Sequence, residues 1–164
     1  MAIWRMMVMA TGALTAGVAS ARADECEALA ANLNAQIPAL AIADRTATDQ
    51  SVVVKLKHPD AEEISLACTS GEAVQPAELT AKWGTAWPPT RFYDLVSSAG
   101  AIVAANSEPA IRSGAVICAQ RALTADSKSA IFEVNGTHFE CSTKTGVDPL
   151  TSIRISKLKD AQQH

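Results

Sequence analysis

The chain has 164 residues, a formal charge of −3 and a mean hydropathy of +0.10. That length suits one domain, or two small units sharing a core. No basic block interrupts the acidic balance, which argues against a nucleic-acid partner.

Residues 1–23 read as an export signal. Arg5 gives the positive start, MMVMATGALTAGVA the apolar stretch, and Ala21 and Ala23 the small cleavage positions. Its removal takes Arg5 and Arg22 with it and makes the charge more negative by two. Asp24 and Glu25 precede Cys26, unlike the approach to a lipidated cysteine, so no lipid anchor is expected. The longest later apolar run, AGAIVAA, falls far short of the roughly 18 residues of a membrane span. The expected location is periplasmic or secreted, in a bacterium.

The first predicted helix has Asp24 as its cap, Glu27 three residues on, and an apolar stripe at Leu29, Leu33 and Ile37. Pro38 should end or kink it. ADRTATDQ reads as a connector. SVVVKLKHPDAEEISLACTS then alternates as a hairpin turning at His58, Pro59 and Asp60. It sets Val52, Val54 and Leu56 against Cys68, Leu66 and Ile64, with Lys57 facing Glu63 on the wet side.

Next comes WGTAWPP, residues 83–89, within a connector at 81–90 that holds Trp83 and Trp87, with Arg91, Phe92 and Tyr93 close behind. Two roles compete for these rings. As a structural clasp they fold inward, since aromatic rings bury large areas and few other large groups are present. As a binding platform, Trp83, Trp87, Arg91 and Tyr93 form a partner-binding surface of the residue types that dominate interface hot spots. Thr90 is the expected cap of the following helix.

TRFYDLVSSAGAIVAAN repeats apolar residues at Leu95, Val96, Ala99, Ile102 and Val103. SEPAIRSGAVICAQRAL offers Ser107 as cap, Pro109 in the first turn, and a face of Ile111, Ala115, Cys118 and Ala122. These are two helices or one kinked helix. SAIFEVNGTHFECST carries Asn135-Gly136, the strongest short hairpin signal. A two-residue loop pairs Val134 with Thr137, Glu133 with His138, Phe132 with Phe139 and Ala130 with Cys141, placing both phenylalanines and Cys141 on one face.

Cys26, Cys68, Cys118 and Cys141 are an even set in an exported chain, without a Cys-x-x-Cys pair, and read as a disulfide framework. The short TADSK linker brings the end of the last helix beside the start of its hairpin, so Cys118 should join Cys141. By elimination Cys26 joins Cys68. CTSGEAVQP and CSTKTGVDP share spacing after their cysteines, which suggests a degenerate duplication of a helix followed by a hairpin. The predicted units are 24–80 and 91–164, the second with a C-terminal strand, in an α+β fold whose helices pack mainly on one face of an antiparallel sheet.

No catalytic motif, phosphate loop, cofactor fingerprint or metal-ligand spacing appears. His58 reads as a solvated turn residue and His164 as the end of the tail. His138 has Glu133 across the hairpin, an ordinary cross-strand pair. The function expected is an exported non-catalytic protein-interaction module, namely an envelope-complex subunit, adaptor or inhibitor, with no cofactor. The alternatives are a small periplasmic hydrolase around His138 and Glu133, or a small-ligand carrier with a pocket between helices and sheet.

Overall fold

The computed structural model describes residues 18–69 and 76–158, with side chains from Asp24 onward. Residues 1–17 of the expected signal, residues 70–75 of the first post-cysteine motif, and the tail 159–164 with His164 lie outside the described residues.

Helix α1 (Val18–Gln36) begins ahead of Asp24, which therefore lies inside the helix rather than capping it. The reason is local: VASARA is rich in alanine, the best helix former. The helix stops before Pro38, whose ring disfavours helical backbone in the residue ahead of it. Ala39 turns with φ 63° into strand β1 (Ala41–Ala47). Thus ADRTATDQ is largely a strand rather than a connector. It has no buried face, so it lacks the alternation by which strands are read.

Strands β2 (Ser51–His58) and β3 (Ala61–Thr69) form the first hairpin, with Val52, Val54 and Leu56 opposite Cys68, Leu66 and Ile64. The ladder shifts between Leu56 and His58, so Lys57 has no register partner in β3, and Glu63 binds Lys82 of the next strand. On its other side Lys57 lies opposite Ala41 of β1. Strand β4 (Glu78–Trp83) takes the first residues expected in the connector: Leu79 and Ala81 are buried, and Trp83 is half-buried.

Helices α2 (Thr90–Ala104) and α3 (Glu108–Thr124) are separate, divided where Ala105 adopts φ 52°. Thr90 is the first helical residue and Pro89 occupies the cap position. Ser107 does cap α3 by position, but its side chain makes no capping hydrogen bond; its N–H donates to Asn106 Oδ1 at 2.7 Å. Strands β5 (Ser129–Val134) and β6 (Thr137–Lys144) pair in the register set by Asn135 (φ 50°) and Gly136 (φ 75°), and β7 (Leu150–Lys157) follows.

The seven strands among the described residues form one antiparallel sheet in the order β1-β2-β3-β4-β7-β6-β5. The central pair is β4 with β7. The three helices among the described residues cover one face: α1 lies against β1, β2 and β3, α2 against β4 and β7, and α3 against β5, β6 and β7. No described helix covers the other face. That face carries polar pairs between direct register partners: ion pairs of Glu63 with Lys82 at 2.9 Å and Glu140 with Arg154 at 3.0 Å, and a hydrogen-bonded Glu133–His138 pair at 3.0 Å. Each is worth roughly 0.2 to 1 kcal/mol.

Cys26 of α1 is joined to Cys68 of β3, and Cys118 of α3 to Cys141 of β6. Each bridge ties a covering helix to the sheet beneath it. They close spans of 42 and 23 residues, which the chain-entropy relation converts to about 4 and 3 kcal/mol. Urea denaturation of the oxidised Cys118→Ser/Cys141→Ser double variant is therefore expected to show a loss of about 3 kcal/mol, with a larger loss for Cys26→Ser/Cys68→Ser.

Helix α3 approaches β6 closely because Gly114 is packed against Phe139. A Cβ at that position would sit inside the contact distance of the Phe139 ring, which is itself fully buried. Glycine to alanine inside a helix ordinarily stabilises by roughly 0.5 to 1 kcal/mol. For Gly114→Ala the sign is expected to reverse, with a thermal melt reporting a loss of about 1 to 3 kcal/mol from overpacking.

Candidate functional site

The aromatic connector leaves the sheet at the end of β4, and it divides its residues between two tasks. Alternation along β4 turns Trp83 toward the helices, where its ring lies 6.1 Å from that of buried Phe92. Phe92 meets Tyr93 edge-on at 5.6 Å. Arg91 lies over the outer side of Trp83, its guanidinium carbon 5.8 Å from the ring centroid, and its Nε donates to Asp60 Oδ1 at 3.0 Å. Asp60, Arg91, Trp83, Phe92 and Tyr93 thus form a ladder from the β2–β3 turn to the core. Burial also pushes the Tyr93 phenol above its ordinary value of 10.0.

The same ladder explains His58, whose ring is only 9% exposed, so it is not a solvated turn residue. The Asp60 N–H donates to His58 Nδ1 at 3.1 Å, which assigns the ring proton to Nε2 and its donation to Pro38 O at 3.0 Å. His58 ties the end of α1 to the β2–β3 turn, and Arg91 ties that turn to the start of α2. Sequence pattern missed this. The clue was the turn itself, where His58 stands two residues before Asp60 and can accept its N–H.

Trp87 behaves differently: it is 73% exposed. Its loop is nevertheless fixed. Trp87 N–H donates to Thr85 Oγ1 at 3.3 Å, the same hydroxyl donates to Trp87 O at 3.0 Å, and buried Thr151 donates to Thr85 O at 2.8 Å. Pro88 and Pro89 follow, with φ restricted and no N–H to satisfy. The outcome is a large apolar ring held out by a pinned backbone.

A second exposed apolar residue leaves the sheet at this end. Val147, 84% exposed, stands in the β6–β7 turn, and Thr151 just beyond that turn is the register partner of Trp83. In the sequence Val147 stands out only as part of the CSTKTGVDP match; an aliphatic side chain between Gly146 and Asp148, in a turn that should be polar, is the signal of its exposure.

His138 and Glu133 lie on the sheet face away from the helices as a hydrogen-bonded cross-strand pair. Among the described residues no three His, Cys, Asp or Glu side chains are grouped to hold a metal ion, and no helix is long and apolar enough to cross a membrane. A groove of about 310 Å³ lies between α1 and the α2–α3 corner, bordered by Ile37, Pro38, Ser98, Ile102, Asn106 and Glu108 among others. No protein-family model, curated protein or solved structure matches the chain.

The division between the two tryptophans is measurable. Trp83→Ala is expected to lower the free energy of unfolding by about 3 kcal/mol, since it removes the ring between Arg91 and Phe92. Trp87→Ala is expected to stay within about 0.5 kcal/mol of the parent. Urea denaturation followed by far-UV circular dichroism reads both values.

Proposed function

We propose that the chain is an exported, non-catalytic protein-interaction module of the cell envelope, and that Trp87 is its principal contact residue. The observation that carries this reading is a tryptophan 73% exposed on a backbone fixed by Thr85, Thr151 and two prolines. Exposing such a ring leaves apolar area in water, whereas burying it against a partner removes that area at roughly 25 cal/mol per Å². Because the loop is already ordered, little conformational entropy remains to be lost on binding.

Trp83, Arg91 and Tyr93 support this contact from behind rather than touching the partner with their faces, since their rings and charge are engaged with one another and with Asp60. Val147 extends the apolar tip. The Glu133–His138 pair is an ordinary cross-strand polar contact outside any cleft, which favours the interaction reading over a hydrolase. Export agrees with two disulfides and with the signal-like residues 1–23, and the mature chain then begins near Asp24, two residues before the first bridge.

We propose a duplicated origin for the fold. Strands β2-β3-β4 and β5-β6-β7 are three-stranded blocks meeting at the β4–β7 pair, and each is bridged at its middle strand to a helix ahead of it. That arrangement is what a duplicated helix-and-hairpin unit would leave, with β1 and α2 as additions.

The test places a photoactivatable phenylalanine analogue at position 87 in the producing cell. Expected is a discrete cross-linked species at 87, absent when the analogue is placed at exposed Gln120 on α3. Its non-covalent capture should be lost in Trp87→Ala while the melt is unchanged. No cross-link at 87, or capture indifferent to Trp87→Ala, would sink the reading.

A further inference from the structure

Among the described residues the sheet ends in two strands, β1 and β5, and they are not equally defended. An open edge offers a row of unpaired N–H and C=O groups to any passing strand, and proteins block such edges with charges, bulges or cover. Strand β1 is blocked: its ladder is bulged between Ile42 and Asp44, adjacent charges stand at Asp44 and Arg45, and Arg45 is bound to Glu27 of α1. Strand β5, SAIFEV, has an unbroken ladder, no proline, and one charge, Glu133, near its end. Ile131 at its middle is 67% exposed.

The direction of its backbone groups follows from the ladder. Thr143 N–H donates to Lys128 O at 2.9 Å, and Val134 faces Thr137 across the two-residue turn, so even-numbered residues of β5 bond toward β6. The N–H and C=O groups of Ile131 and Glu133 therefore point off the sheet.

We infer that β5 is an assembly edge whose occupant is β5 of a second copy of this chain, paired antiparallel about Ile131. The segment is self-complementary in that register. A two-fold axis through Ile131 sets Ile131 against its own symmetry mate and pairs the outward backbone groups of residues 129, 131 and 133 with those of 133, 131 and 129. On the helix-covered face, each half-buried Phe132 lies opposite the small Ala130 of the other copy, large against small. On the open face, each Glu133 lies opposite Ser129, so the two acidic groups are kept apart. Shifting the axis by one residue to Phe132 would oppose the two bulky rings and move both Glu133 side chains toward the centre. Isologous pairing of this kind closes at two copies.

Light scattering on the oxidised chain, over concentrations reaching about 1 mM, should show the mass rising to twice the monomer value. Ile131→Lys, a charge on an exposed position, should return the mass to one copy with an unchanged circular dichroism spectrum. Ala43→Lys on β1 should leave the dimer intact. Hydrogen exchange supplies a readout without substitution: the Ile131 and Glu133 amides should become more protected as concentration rises. A monomeric mass throughout, including a β5 that accepts only an extended segment of another protein, overturns the inference. So does a dimer that survives Ile131→Lys, or amides whose exchange is independent of concentration.

Discussion

The close approach of small-residue helices to one face of the sheet is the constraint from which the other features follow. Gly100 lies against Ile111 and Ile155, Gly114 lies against Phe139, and Ala99, Ala115 and Ala122 are fully buried. The strands therefore provide most of the core volume: Ile64, Leu66, Leu79, Phe139, Ile153 and Ile155 all point up into the helix layer. A helix that buries alanine and glycine removes less apolar area than one that buries leucine, roughly in proportion to the area lost. The two disulfides offset that deficit at the outer helices, joining α1 and α3 to β3 and β6. Helix α2 has no bridge. It is held instead by its central position over β4 and β7, by Arg112 of α3 binding Asp94, and by the Arg91–Trp83–Phe92 ladder at its start.

How much of this could be read from sequence depended on whether the signal was local. Asn135-Gly136 determined the β5–β6 register because both turn residues need positive φ, and a two-residue loop leaves only one alignment that keeps Phe132 and Phe139 on the same face. Period likewise located α2 and α3, the short linker gave Cys118–Cys141, and elimination then left Cys26–Cys68. Strand β1 was hidden because it buries nothing. Strand β4 did carry alternation at Leu79, Ala81 and Trp83, but the proline-edged aromatic run that follows drew its last residues into a loop. The fate of Lys57 depended on a ladder shift, which pairing rules applied to a perfect hairpin do not foresee.

The candidate site was legible in content and illegible in division. The residues of WGTAWPP were recognisable as the place where aromatic area is concentrated, yet clasp and platform are opposite orientations, and orientation is set by where the strand ends. Trp83 is still within β4, so the pleat directs it inward. Four residues later the chain has left the ladder. The Thr85 turn then directs Trp87 outward. One short segment therefore does both jobs, and the inward ring stabilises the base from which the outward ring is presented.

The geometry also links the two proposed contacts. Ser129 begins β5 at the same end of the sheet as Trp87, since β5 aligns through β6 and β7 with the Trp83–Thr151 pair. Antiparallel pairing of two β5 strands reverses one copy relative to the other, so the Trp87 loops of a pair stand at opposite ends of the joined sheet. Such a pair could not set both tryptophans on one flat surface. It would engage two partners, or two sites on one partner, facing each other across the length of the strands. A membrane surface is thereby a poor fit to the paired form, whereas an adaptor bridging two envelope proteins fits it well.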